Sequence, residues 1–183
     1  MNITLREYRK EDFSALQDII RKTWHYDDFS SPKIAQNLAR VFFSSCLTNS
    51  TYSRVAIDNG KPVGIILVNN KEKHKCPFGL RFQLITAIIS LFLSKEGRKV
   101  SKVFENIKCI DKELLKGCEI EYPAELSLFV VDSSCRGKGI GKQLFQLALD
   151  YMKEQKLDTF YLFTDTSLSL IHISEPTRQA EIS

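Results

Sequence analysis

The stretch Val131-Asp132-Ser133-Ser134-Cys135-Arg136-Gly137-Lys138-Gly139-Ile140-Gly141-Lys142 decides how the rest of the chain is read. Three glycines at alternate positions leave backbone amides unshielded where a helix is predicted to start. A helix N-terminus carries unpaired N–H groups and about half a positive charge, so it attracts anions. Arg136, Lys138 and Lys142 add formal positive charge around that point. A pyrophosphate suits this chemistry, because glycine admits a close approach, the amides donate and the cations neutralise.

The flanks of the loop are regular. Ala124 to Val131 is apolar on both faces toward its end and predicts a central strand. Ile140, Leu144, Phe145, Leu147, Ala148, Tyr151 and Met152 recur at helical spacing and predict a helix to about Lys156. Thr159 to Thr164 predicts another buried strand. Strand, loop, helix and strand in succession make a βαβ-type unit with a glycine loop at its crossover.

Two phosphate-binding loops fail on spacing. A P-loop needs GxxxxGK followed by Ser or Thr, but Arg136 stands five places before Gly141 and Gln143 follows Lys142. A dinucleotide fingerprint needs GxGxxG near the start of a long domain, whereas the spacing here is GxGxG with little chain remaining.

Toward the N-terminus, Ile3 to Tyr8 alternates as a first strand. Phe13, Leu16, Ile19, Ile20 and Trp24 predict a helix ending near Trp24, after an acidic turn at Glu11-Asp12. Pro32 fits the first turn of a second helix with Ser31 as its cap, and Ile34, Leu38, Val41, Phe42 and Leu47 as its apolar stripe. Tyr52–Ile57 and Pro62–Val68 flank Asp58-Asn59-Gly60-Lys61, and Asn-Gly readily takes the positive φ angles of a hairpin turn.

Residues 70–121 read as a helical insertion. They hold a basic turn at Lys71, Lys73, His74 and Lys75, an apolar helix from Phe78 to Leu93, a basic linker from Lys95 to Lys102, and a helix from about Lys102 to Leu115. The apolar run is shorter than the roughly 20 residues a spanning helix needs, and it carries Arg81 and Gln83. It is expected to be a buried or interface helix, serving as a lid on the acceptor site or as the face of a homodimer, with no membrane partner.

Taken together, these features resemble the GNAT acetyltransferases. Arg136-Gly137-Lys138-Gly139-Ile140-Gly141 matches the Arg/Gln-x-x-Gly-x-Gly/Ala loop of that family at every fixed position. The order strand, two helices, hairpin, central strand, glycine loop, helix, strand is also the family's. The resemblance covers residues 1–167 apart from the insertion. It implies a single α/β domain with the acyl-CoA N-acyltransferase fold, a mixed, mainly antiparallel sheet flanked by helices.

The same resemblance implies acetyl-CoA as cosubstrate and acetyl transfer to an amine by direct attack in a ternary complex. The amides from Arg136 through Gly137, Lys138, Gly139, Ile140 and Gly141 to Lys142 would hold the pyrophosphate. The backbone of Phe129, Val130 and Val131 would bond the pantetheine arm, with an amide near Phe129 stabilising the oxyanion. Glu125 opens the central strand, on the side opposite Leu126, Leu128 and Val130, and is the candidate base. Glu119 and Glu121 are weaker alternatives. The acceptor is expected to be a small-molecule amine. A protein N-terminus or lysine as acceptor, and a CoA-binding module without turnover, remain open.

Other residues have plainer readings. Trp24, Tyr26 and Phe29 are expected to pack rather than touch substrate. Asp27 and Asp28 lie in the loop that borders the acceptor site in this family, so they could meet a cationic amine. A covalent route through Cys135 is not expected, since no His or Asp is placed to complete it.

Composition agrees with one soluble domain. The 183 residues are 43% apolar and 26% charged, and the net charge of +4 is too mild to argue for nucleic acid. Five cysteines without a CxxC pair argue against structural zinc and a disulfide framework, and for reduced thiols in the cytoplasm. Met1-Asn2-Ile3-Thr4-Leu5-Arg6-Glu7 lacks the apolar segment of a signal peptide.

The end of the chain departs from the family pattern. After Ser167 the family needs one more helix and a final pair of strands, and usually supplies a tyrosine that reprotonates the departing thiolate. No tyrosine follows Tyr161. The run LSLIHISEPTR reads as the translation of a transposase-type sequencing adapter. Residues 168–183 are therefore expected to be a non-native tail on a truncated domain, which would be poorly stable and weakly active.

Overall fold

The computed structural model describes residues 3–74, 78–102, 113, 117 and 121–163. Five strands form one sheet in the order β1-β2-β3-β4-β5. They are β1 (Ile3–Arg6), β2 (Tyr52–Asp58), β3 (Lys61–Asn70), β4 (Ala124–Val131) and β5 (Phe160–Tyr161). The first three junctions are antiparallel and β4 pairs with β5 in parallel, so the sheet is mixed and mainly antiparallel, as expected. Helices α1 (Phe13–Thr23), α2 (Pro32–Asn49) and α3 (Phe78–Phe92) precede β4. The helical residues Lys95–Lys102 form α4, and α5 (Ile140–Glu154) follows β4.

The sheet separates two cores. On one side Leu16 and Ile20 of α1, together with Leu38 and Phe43 of α2, meet Val55, Ile65, Leu67, Leu128 and Val130. On the other, Ile140, Leu144, Ala148 and Met152 of α5 meet Ala56, Ile66, Val68, Ala124 and Leu126. Ile65 to Val68 are all fully buried because helices cover both faces of β3.

Local chemistry sets the element ends. Arg6 grips Asp12 through two 2.7 Å hydrogen bonds, and Arg9 N donates to the same carboxylate at 2.8 Å, which fixes the passage from β1 into α1. The hairpin turn forms as predicted, with Asn59 at φ 50° and Gly60 at φ 79°. Pro32 does begin α2, but the Ser31 side chain does not cap it. Its hydroxyl donates instead to Glu96 Oε2 at 2.7 Å, and its amide donates to Glu96 Oε1 at 2.6 Å.

One expectation for the insertion changes, and of the two readings of the apolar helix, buried or interface, the first falls away. The Lys95–Lys102 linker is a helix, started by Ser94, whose hydroxyl accepts from Gly97 N at 2.8 Å and whose carbonyl accepts from Arg98 N at 3.1 Å. The apolar helix is not buried: only Ala87 and Leu91 of α3 are. Its outward side carries Phe78 (85% exposed), Phe82 (62%) and Ile89 (54%). Of the helix expected at about Lys102–Leu115, only Lys102 and Glu113 are described, both helical. The expected tail at Leu168–Ser183 and the domain boundary before it lie outside the described residues.

Candidate active site

The glycine loop leaves β4 through a single 3-10 turn at Ser133–Cys135. Asp132 Oδ1 accepts from Ser134 N at 2.8 Å and from Ser134 Oγ at 2.6 Å, and these bonds hold its carboxyl below the usual range despite partial burial. The turn therefore ties down the acidic group nearest the start of the loop, facing it toward Ser134. Gly137 and Gly139 then take φ +76° and +73°, a conformation that side-chain-bearing residues rarely adopt, and no atom lies within 4 Å of where a Cβ would stand on either. The loop is thus open on its outer side.

Its hydrogen bonding is incomplete. Arg136 N donates to Ser133 O at 3.3 Å, and the next bonded amide is Gln143 N, which donates to Gly139 O at 3.1 Å. The amides of Gly137, Lys138, Gly139, Ile140, Gly141 and Lys142 make no hydrogen bond among the described residues. Arg136, Lys138 and Lys142 are exposed and form no ion pair among the described residues. Lys138 Nζ reaches only the Cys135 thiol, at 3.9 Å. Ile140 is 1% exposed, with its side chain packed beneath α5, so what it offers a ligand is its amide. An elongated diphosphate fits this open row of donors and cations.

The central strand forms the second half of the site. Strand β5 pairs with β4 only at Ala124–Phe160 and Glu125–Tyr161. From Leu126 to Val131, β4 has no strand partner on that side among the described residues, which leaves a fork leading toward the glycine loop. Phe129, Val130 and Val131 lie along this free edge. The Phe129 and Val131 side chains turn toward α5, while Val130 turns into the α1–α2 core.

A bulge at the fork alters one expectation. In the β3–β4 register Leu67 faces Leu128 and Val68 faces Leu126, so Ser127 is an extra residue. Side-chain parity flips across it. Leu126 packs with α5, whereas Leu128 and Val130 pack with α1 and α2. Glu125 is therefore opposite Leu126 but on the same side as Leu128 and Val130, contrary to the simple alternation.

Glu125 is half-buried at the closed end of the fork, and its neighbours were not legible in the sequence. Asn69 Nδ2 donates to Glu125 Oε2 at 3.5 Å. The Tyr161 phenol is pushed up to about 12, first by burial, then by the Glu125 charge and a hydrogen bond to that carboxylate. Tyr161 is thus protonated at neutral pH and able to donate. Lys71 Nζ stands 4.8 Å over its ring, and Tyr122 packs edge-on at 5.8 Å. Asn69 Oδ1 and Ser127 Oγ are buried without a hydrogen-bond partner among the described residues. Ser127 is the bulged residue and Asn69 lies beside it, where a polar ligand would satisfy both. No spacing rule pairs Glu125 with Tyr161; only the strand register does.

The remaining candidates sort cleanly. Asp27 is held by a two-pronged ion pair with Arg21 and is not free for an amine. Asp28 is exposed, 3.8 Å from His25. Tyr26 is 2% exposed and Trp24 packs on Phe42 at 5.2 Å, as expected of packing aromatics, but Phe29 is 54% exposed. Glu121 is exposed, and Glu119 lies outside the described residues. Among the described residues no group of three His, Cys, Asp or Glu side chains could hold a metal ion. A cavity of about 370 Å³ lined by Phe13, Gln17, Gln36, Asn37, Arg40 and Gln83 shares no residue with the fork or the loop.

Comparison with known proteins agrees with this geometry. Residues 116–171 match the model of the Acetyltransferase (GNAT) family, a span that contains β4, the glycine loop, α5 and β5. No curated protein sequence matches the chain. Among solved structures, the Pyrococcus horikoshii OT3 protein PH1933 superposes with a TM-score of 0.55 at 19% identity, covering 88% of this chain and 77% of its own. The PaiA N-acetyltransferase of Thermoplasma acidophilum, solved with coenzyme A, gives 0.50 at 16% identity, over 91% and 81%. A GNAT-family acetyltransferase of Staphylococcus aureus Mu50 gives 0.50 at 16%, over 92% and 77%. At these identities the structures speak to the fold, and the family model speaks to the segment that carries the site. The chain therefore has the fold of the GNAT acetyltransferases, and its residues 116–171 are similar to that family in sequence.

Proposed function

We propose that this protein transfers an acetyl group from acetyl-CoA to the amine of a small molecule. The observation that carries the reading is the row of six amides from Gly137 to Lys142 that, among the described residues, have no partner, flanked by three cations without an ion pair there and opening onto the edge of β4 left free by the described strands. The amides and Arg136 would hold the diphosphate. The free edge at Phe129, Val130 and Val131 would run beside the pantetheine arm, with an amide near Phe129 donating to the acyl oxygen. The cosubstrate supplies the activated thioester. The half-buried Glu125 carboxylate would take the proton from the incoming ammonium, and Tyr161 and Asn69 would hold that carboxylate in place. The fork sets this base at its closed end, where the acceptor amine would meet it.

Calorimetry with acetyl-CoA and a thiol-release assay over an amine panel test this reading. Arg136→Glu is expected to weaken binding about tenfold or more, since a charge-assisted hydrogen bond contributes about 1.5–3 kcal/mol. Glu125→Gln is expected to leave that affinity unchanged and to lower turnover about 10²–10⁴-fold. Unchanged affinity in the arginine variant would remove the cofactor assignment. Unchanged turnover in the glutamine variant would remove the base.

A further inference from the structure

The outward side of α3 has no role in the site. Phe78, Phe82, Ile85, Ile89 and Phe92 recur at intervals of four, three, four and three residues, and all are exposed, as is Leu93. Ala87, Leu91 and Leu80 face the opposite way, toward α2 and the core. Apart from the exposed cation Arg81, three residues after Phe78, the stripe carries no polar side chain, whereas a protein–protein contact usually needs about one hydrogen bond per 100–200 Å².

The charge beside this stripe is one-sided. Lys95, Arg98, Lys99 and Lys102 are exposed at helical spacing along α4, and Arg81 is exposed on α3. Residues 78–102 hold these five cations and one acid, Glu96, a net +4 equal to that of the whole chain. Glu96 is committed to the Ser31 amide and hydroxyl. The bend of 113° between α3 and α4 sets the cationic row beside the end of the apolar one. That bend is built in. A Cβ on Gly97 would collide with Leu91 O, and Arg98 Nη1 donates to Phe92 O at 2.8 Å.

We propose that the apolar stripe of α3, together with the cationic row of α4, docks this protein on an anionic lipid surface. Apolar side chains enter the headgroup–acyl boundary while lysine and arginine meet lipid phosphates, the arrangement of a surface-lying amphipathic element. Among the described residues no single helix is long and apolar enough to cross a membrane. Fifteen helical residues reach only about 22 Å against roughly 30 Å of hydrocarbon. The expectation of no membrane partner rested on that shortfall and on Arg81 and Gln83, and these exclude a span rather than surface attachment. A second copy is disfavoured by charge. In a two-fold contact through this stripe, Arg81 or the α4 cations of one chain would face those of the other.

The test is sedimentation of the full chain with vesicles of mixed phosphatidylcholine and phosphatidylglycerol, against phosphatidylcholine alone. Binding is expected to the anionic vesicles, falling as salt rises. Phe82→Ser with Ile89→Ser should abolish it. Lys95→Gln with Lys99→Gln should weaken it by roughly fivefold per cation removed. All four positions are exposed, so matching thermal melts are expected, and acetyl-CoA binding should be untouched in every variant. The proposal is overturned if the anionic vesicles leave the chain in solution or if the lysine variant binds as well as the parent. It is equally overturned if equilibrium ultracentrifugation shows a dimer that Phe82→Ser dissociates, which would give the stripe to a second copy.

Discussion

Asp12 is 2% exposed, and burial alone would push its carboxyl up. The paired bonds from Arg6, the amide of Arg9 and the charges of both arginines outweigh burial and hold it below the ordinary carboxylate value. The sign of the linkage follows. A carboxyl depressed in the folded state contributes stability above its unfolded pKa of about 3.9, and that contribution is lost as pH falls through the lower folded value. Asp12→Ala leaves a guanidinium that is one-quarter exposed without its partner, and is expected to cost about 3 kcal/mol at neutral pH. Urea titrations should show that difference between parent and variant shrinking below about pH 4. A gap of constant size down to acid pH would show that packing, not charge, is what Asp12 supplies. At the other end of the chain, Gly139 sits at φ +73° in open space, so an added methyl meets no atom and the cost is conformational. Gly139→Ala is expected to cost about 1–2 kcal/mol in a thermal melt.

At the scale of elements, α5 packs on the sheet through the row Ile140, Leu144, Ala148 and Met152, with Tyr151 stacked on Tyr52 beside it. Leu144 is fully buried between Ile140 and Ala148, against Ile66 and Val68 of β3. Leu144→Ala is expected to destabilise the fold by about 2–5 kcal/mol, read from urea denaturation. Because α5 presents the loop amides, that variant should also bind acetyl-CoA less tightly, whereas the exposed Lys153→Ala should alter neither. The helix was legible because its apolar positions repeat at 3.6 residues, and the hairpin because Asn59-Gly60 permits one turn geometry. The glycine loop was legible because its chemistry is local. What escaped the sequence depends on partners far along the chain. The bulge at Ser127 is a mismatch between two strands, and neither strand announces it. Tyr161 reaches Glu125 only because β5 lies beside β4, a pairing across 36 positions of sequence. For α3 the sequence left a buried and an interface helix both open, because an apolar run reports what a helix could cover, not what covers it.

For the molecule as a whole, the sheet puts its two cationic features on opposite faces. The glycine loop belongs to the α5 face, and α3–α4 to the face of α1 and α2. Two ligands could therefore bind without competing, and amide hydrogen exchange would locate each. The amides from Gly137 to Lys142 lack partners among the described residues and should exchange quickly in the free protein, as should those on the β4 edge that no described strand covers. Acetyl-CoA is expected to slow both groups and to leave Val55, Ala56 and Ile57 unchanged, since β2 is paired on both sides by β1 and β3. Anionic vesicles are expected to slow α3 and α4 and to leave the glycine loop untouched. Protection of the loop without the strand edge would mean that the diphosphate is held while the acyl arm lies elsewhere, and Glu125 could then not be the base. Protection of the edge without the loop would remove the role given to Arg136.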